Sequence, residues 1–449
     1  MKSLSHLGRT ALQAAVAATL LTGAGAAMAD DAKRPVPDYD GRPAPPTTAG
    51  DAALWVPRIV FFPLWLTSEF VLRRPMGAFL MAAERNNWPT ALYDFFAFGP
   101  DHKAGFAPLV FADFGFNPSV GLYLFWNDAF FKGNDLSVHG ATWGTDWIAG
   151  SLTERVTFHD KKQLTFTFTG VRRPDKVFYG LGARSLESSQ SRYGQDLLDA
   201  RALLGLPMGH AARIDAGVGM RSVSIYHGHF GDDKSVEEQA AAGVYALPYG
   251  FGRGYTAEYN QLRLTLDSRP HPPGGSGVRL ELDGLQGSDV RRDPASGWVQ
   301  YGGNAGVFYD IGDYGRVIEL YATARFADPL GPNPVPFTEL VQLGGDYEMR
   351  GFYPGRLFGQ SAAVATFRYR WPIAIWLDGS IHASVGNVFE EHLRDFDTKL
   401  LRFSGTLGIS SRNSADGSIE ALVGFGTETF EHGGQIDSIR ILVGTNRGF

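Results

Sequence analysis

Cysteine is absent from all 449 positions, which removes disulfides, thiolate metal sites and cysteine nucleophiles together. Nor is charge of one sign in excess. Lys and Arg number 41 against 47 Asp and Glu, a net of -6, and no basic run occurs. No nucleic-acid surface is expected. Only 20% of residues are charged, whereas aromatics reach 13% and glycine numbers 56, a balance that disfavours large helical bundles. There is no Gly-x-Ser-x-Gly elbow, no His-Glu-x-x-His and no glycine-rich phosphate loop. The usual marks of hydrolases, zinc proteases and nucleotide binders are therefore missing. No cofactor or metal is expected, and His227-Gly228-His229 lacks ligands clustered nearby in sequence.

Long apolar runs are also scarce. The N-terminus carries Lys2 and Arg9, an apolar stretch from Ala11 to Ala27 and the small-x-small sequence Ala27-Met28-Ala29, the pattern of a cleavable signal over 1–29. Beyond it, the nearest approach to a membrane-spanning helix, Leu54 to Val71, contains Arg58, Pro63 and Glu69. A helix crossing hydrocarbon is a poor reading of that stretch. An exported chain that enters a membrane without such a helix must do so as a barrel, which satisfies its backbone groups between strands. Residues 30–50, with Pro35, Pro37, Pro43, Pro45 and Pro46, form a proline-rich linker. Residues 51–103 read as a periplasmic or barrel-mouth segment, with a short helix starting behind Pro75.

From residue 104 the hydrophobic period becomes two. Leu164, Phe166 and Phe168 alternate with Thr165, Thr167 and Thr169; Ile318 and Leu320 alternate with Glu319 and Tyr321; Phe367, Tyr369 and Trp371 alternate with Thr366, Arg368 and Arg370. Sixteen such strands run from 104–114 to 437–449, with the eleventh at 315–328 and the twelfth at 360–373. The expected fold is an all-β, sixteen-stranded antiparallel transmembrane barrel over 104–449. Gaps on one side (128–134, 161–162, 205–209, 269–276, 312–314, 374–375, 412–415) are short, whereas those on the other include 174–190, 227–255, 329–359 and 389–399. Short inner turns facing long outer loops are what an outer-membrane barrel requires. Ile439, Ile441 and Val443 share one face of the last strand and Ser438 and Arg440 the other, and the chain closes on aromatic Phe449, read as a girdle anchor and C-terminal assembly signal.

The longest outer connection ends in Leu343-Gly344-Gly345-Asp346-Tyr347-Glu348-Met349-Arg350-Gly351-Phe352. Inside a polar barrel, Arg350 suits bidentate pairing with an inward carboxylate, Gly351 permits close approach and Phe352 supplies a wedge. Met349-Arg350-Gly351-Phe352 resembles the Arg-Gly-Phe/Tyr motif of the sixth outer loop in the Omp85 superfamily of surface-antigen barrels, and the strand count independently places it in that loop. Asp267-Ser268-Arg269 before Gly277, Phe178-Tyr179-Gly180-Leu181-Gly182, Phe367 to Ile373 and Val385-Gly386-Asn387-Val388-Phe389 resemble further segments of the family. The second of these is common in its patatin-linked branch.

This resemblance implies an outer-membrane barrel for protein insertion or translocation, not an enzyme. Its partners would be outer-membrane lipids, the outer-membrane assembly machinery and a client polypeptide. The family's insertases carry periplasmic POTRA modules, for which 30–103 leaves no convincing room, so a POTRA-less branch is expected. Two family carboxylates are replaced here, by Arg368 and Ser384. Asp378, Glu319 and Glu281, all inward by parity, are then the candidate lumen partners of Arg350. Gly405, Gly408, Gly424, Gly426, Gly444 and Gly448 thin the packing toward the C-terminal seam. Two other readings stay open: a diffusion pore constricted by the long loops, and a barrel-wall lipid hydrolase using His382, Ser384 and Asp378.

Overall fold

The computed structural model describes residues 95–446 apart from 271, 273, 292–295, 375–376 and 412–417, with isolated positions between 62 and 86. The signal, the linker and the terminal Phe449 lie outside the described residues; of the helix expected behind Pro75, Gly77, Ala78, Ala82 and Arg85 are described and are helical. Within them the chain is an all-β, sixteen-stranded antiparallel transmembrane barrel. The strands are β1 (Ala104–Asp113), β2 (Ser119–Trp126), β3 (Asn134–Thr142), β4 (Ile148–Thr157), β5 (Gln163–Phe178) and β6 (Ser191–Met208). Next come β7 (Ala212–His227), β8 (Tyr255–Asp267), β9 (Gly277–Asp289), β10 (Gly297–Asp310) and β11 (Val317–Pro329). The last five are β12 (Ser361–Ala374), β13 (Leu377–Phe389), β14 (Arg402–Ser411), β15 (Ser418–Thr427) and β16 (Ile436–Asn446). Each pairs with the next, and β16 returns to β1.

The period of two is realised as lipid face against lumen face. Phe168, Leu198, Val218, Met220, Leu262, Val278, Leu320, Val423 and Ile439 are exposed on the outside wall, while the alternating Thr, Arg and carboxylate positions turn inward. In a water-soluble sheet those apolar side chains would be covered; here the bilayer covers them. The barrel's packed apolar core sits at the long-loop end, inside the mouth. One cluster joins Phe178, Tyr193, Val223, Tyr255 and Trp298 of the wall to Phe337 and Phe358 of the loop 330–360. A second joins Leu343, Met349, Phe352 and Leu357 of that loop to Val364 and Val388 of β12 and β13.

One expected loop is shorter than its sequence suggests. The turn signal at Pro174-Asp175 reads as the end of a strand, yet β5 continues to Phe178. A register shift between Arg173 and Lys176 absorbs the proline. A bulge leaves the extra residues out of the ladder, so a missing N–H costs nothing there. The long connection therefore spans only 179–190.

Closure is uneven. Between β15 and β16 the register runs from Ser418↔Asn446 to Thr427↔Ile436. Between β16 and β1 the register among the described residues includes Leu442↔Asp113, Val443↔Ala112 and Gly444↔Phe111, and the Phe114 amide donates to the Ile441 carbonyl at 2.9 Å.

Candidate functional site

The loop 330–360 folds back into the mouth as a strap with a foot on each wall. A short antiparallel pair, Val341–Leu343 with Leu357–Gly359, forms its stem. Its tip turns at Met349, which holds a left-handed φ of 62° and is fully buried. The Phe352 amide donates to the Met349 carbonyl at 3.0 Å. A bulky residue tolerates that backbone only where surrounding packing holds it.

Beyond this turn, the tip lies on the inward faces of β14, β15 and β16. Arg350 donates through both terminal nitrogens to Glu420, at 2.6 and 2.8 Å, a forked, charge-assisted pair. Next to it, the Gly351 amide donates to the Ser404 hydroxyl at 2.9 Å. A Cβ at 351 would come 2.1 Å from the Phe425 carbonyl oxygen, so this residue must be glycine. Phe352 is fully buried. A Cβ at Gly426 would stand 2.1 Å from its ring. Gly424 and Gly426 therefore clear the seat for the tip rather than thinning the seam. Of the seam glycines, Gly444 faces β1, where a Cβ would meet the Val110 carbonyl oxygen at 2.5 Å.

Glu420 thus takes the place expected of Asp378, Glu319 or Glu281. Those three carboxylates face inward, as parity requires, but other strands hold them elsewhere. Glu319 pairs with Arg368 and Arg370, and Glu281 with Arg279 at 2.6 Å. Asp378 lies opposite Pro372 in register, on the side of the wall carrying Arg370. The reason is geometric: alternation says which residues point inward, but not against which wall a long loop will lie.

The other foot of the strap stands on β7, β8 and β10. Glu339, 3% exposed, accepts from Arg221 at 2.9 Å and from the Tyr255 hydroxyl, and Gln300 donates to its carboxylate at 2.9 Å. Arg221 also donates to Asp199 at 2.9 Å, which accepts from Tyr259 at 3.0 Å. A carboxylate this deeply buried persists because each side of it meets a donor.

Past the tip, fully buried Arg356 donates to the Ser185 hydroxyl at 2.9 Å and to Asp437 at 3.2 Å. Glu187 approaches it within 3.5 Å. Burial, with Asp437 and Glu428 nearby, pushes the Glu187 carboxyl up to about 7 against the opposing pull of Arg356 and Arg402. Loop 179–190 is thereby fastened to the strap.

Glu339, Glu420, Asp113 and Arg440 were not singled out as partners by sequence. Glu420 and Arg440 share the inward parity of the last two strands, whereas Glu339 sits in a stretch without periodicity.

The other sequence candidates do not converge on chemistry. Ser384 shares a 2.9 Å hydrogen bond with Thr366, and His382 lies in register between Arg368 and Thr406. No hydrogen bond joins His382 to Ser384 among the described residues. His229 meets Asp146 at 3.1 Å while His227 faces Glu237 at 3.8 Å, so these two histidines belong to separate contacts. Asp328, Glu391 and His392 place ligand atoms within 4.8 Å of one another. Asp328 meets Nε2 of the ring at 3.0 Å and Glu391 faces Nδ1 at 3.7 Å, with the Tyr301 hydroxyl 3.0 Å from the same Nε2. Carboxylates flanking opposite ring edges clamp an imidazole rather than converge on one ion.

The fold defines a multi-pass β-barrel of the type typical of the bacterial outer membrane. No protein-family model matches the chain, nor does any curated protein sequence. Among solved structures, it is similar to BamA from Haemophilus ducreyi lacking POTRA domains 1–3, with a TM-score of 0.54 at 14% identity over 76% of this chain and 70% of that one. CdiB from Acinetobacter baumannii aligns at 0.48 and 12% identity over 76% of this chain and 59% of that one. CdiB from Escherichia coli aligns at 0.48 and 13%, over 77% and 64%. The likeness to BamA is one of fold.

Proposed function

We propose that this chain is a barrel of the Omp85 type that inserts or translocates a client polypeptide at the outer membrane, in a branch resembling the patatin-linked translocators. The observation that carries this reading is the tip of the strap. Arg350, Gly351 and Phe352, the residues that resemble the family motif, are seated on the lumen wall by a forked ion pair, a glycine-only approach and a buried ring. The seam is where a client would act: among the described residues β16 joins β1 over Leu442–Gly444, and a strand edge released there would be a template for another strand. A client would enter from the short-turn end and leave through that seam. The mechanism is noncovalent, and its other partners are the surrounding lipids and the machinery that assembles the barrel.

A strap filling the mouth, fixed at both feet, argues against a wide diffusion pore. The test combines depletion in the native host with planar-bilayer recording of the purified protein. Low, erratic conductance together with loss of a defined set of surface or outer-membrane proteins is the expected result. A large, stable, ohmic conductance with an unchanged surface proteome would overturn the reading in favour of a pore.

A further inference from the structure

The side chain that ties the seam to the strap is Arg440 of β16. It is 1% exposed, and Asp113 of β1, across the seam, is 3% exposed. Arg440 donates to that carboxylate through Nε at 3.0 Å and Nη2 at 2.8 Å. Its remaining arm, Nη1, points the other way and donates to the carbonyls of Gly345 at 2.7 Å and Arg350 at 3.1 Å. One guanidinium thus holds the first strand and the strap's tip at the same time. A second residue repeats the arrangement: the Tyr353 hydroxyl donates to the Ile439 carbonyl of β16 at 3.1 Å, while its ring packs edge-on against Phe116 in the β1–β2 connection.

We propose that Arg440 is a latch that makes parting of the seam and lifting of the strap's tip one event. This rests on the seam reading above and adds its regulation: the barrel is held shut by its own loop until something displaces the tip. The physical reason lies in the three-way sharing. If β1 departs alone, Arg440 stays under the tip as a buried cation whose counter-charge has left. If the tip departs alone, two donated hydrogen bonds are lost from a group that the closed seam keeps dry. Either half-step leaves polar groups buried and unpaired. Joint release lets water reach all of them. The closed strap is then an autoinhibitory contact, and a client that engages the tip from the lumen opens the wall in the same step.

The absence of cysteine allows clean reporters in the full-length protein, purified into liposomes without client. Ala112 and Val443 are register partners across the seam, so the rate of disulfide formation in A112C/V443C reads seam closure. Thr406, buried on β14 opposite Gly424, lies under the tip, so maleimide labelling of T406C reads tip lifting. Heat-modifiable gel migration confirms that each variant retains a folded barrel. R440Q should slow the seam disulfide and raise T406C labelling together, each by about tenfold. R350A, which touches neither Asp113 nor β1, should also move both reporters, and a preformed seam disulfide should suppress the extra T406C labelling in R350A.

The proposal is overturned if R350A exposes T406C with the seam rate unchanged, if R440Q slows the seam with the tip still protected, or if neither variant moves either reporter. Because no client is present, these results read the coupling alone. Failure of the transport reading would appear instead as an unchanged surface proteome on depletion.

Discussion

Arg350 and Glu420 stand 70 residues apart in the chain and meet through two hydrogen bonds of 2.6 and 2.8 Å, one from the tip of a loop and the other on the inner face of β15. The pair is largely withdrawn from water, with 18% of the arginine side chain and 8% of the carboxylate exposed. Its removal should therefore register as a change in the position of the loop. R350A and E420Q are each expected to weaken seating of the tip by roughly 2–5 kcal/mol, toward the lower figure where lumen water reaches the pair. The double variant should cost little more than either single one. R350K should rescue poorly, because lysine keeps the charge and loses the fork. Protease accessibility of 344–352, read beside folded-barrel yield, checks all four variants. D378N and E319Q should leave it unchanged, and a loop loosened by D378N but not by E420Q would show that the wrong carboxylate has been assigned.

The glycine seat makes a steric prediction. G426A places a methyl where the Phe352 ring lies, and G351A drives one into the Phe425 carbonyl. Both should expel the tip while the barrel stays folded, whereas G140A, whose Cβ would meet nothing within 4 Å, should be silent. F352A, which empties a fully buried site, should cost about 3–5 kcal/mol of loop seating. Pairing F352A with G426A should relieve the clash but not restore the ring's packing. Hydrogen exchange of the 341–357 amides separates these cases.

At the other foot, E339A removes the carboxylate acceptor of one arm of Arg221 and of the Tyr255 hydroxyl, which keeps only the Thr338 hydroxyl at 3.0 Å among the described residues. An unsatisfied buried group costs about 1–3 kcal/mol, so the root of the strap should exchange faster in E339A while the seating of Arg350 persists. Equal loosening at both feet would show that the strap is a single cooperative unit.

Fastening of loop 179–190 should depend on pH. Glu187 is held protonated up to about 7 by burial and by Asp437 and Glu428. A carboxyl whose folded pKa is raised ionises first when released, so the folded contact is favoured at low pH and weakens as pH rises from the ordinary glutamate value through about 7. Proteolysis within 179–190 should be slower at pH 5.5 than at pH 8. E187Q should flatten that difference, and a wild-type loop that is more protected at pH 8 would contradict the assignment.

A period of two along the chain is enough to specify the barrel. Alternation in stretches such as Leu164 to Thr169 and Phe367 to Trp371 fixes which side chains face lipid, because successive strand residues point to opposite faces. The count of such stretches, with long gaps falling on one side, places Arg350 in the sixth outer loop. Parity also put Glu281, Glu319 and Asp378 in the lumen, where they are found. What parity leaves open is distance across the lumen. It takes the folded barrel to bring the tip across to Glu420 of β15, to stand Glu339 on the opposite wall and to carry Arg440 to Asp113, 327 residues away. Those pairings depend on strand tilt, on the stagger at closure and on the path of a loop with no repeating pattern. None of these is written in a period of two.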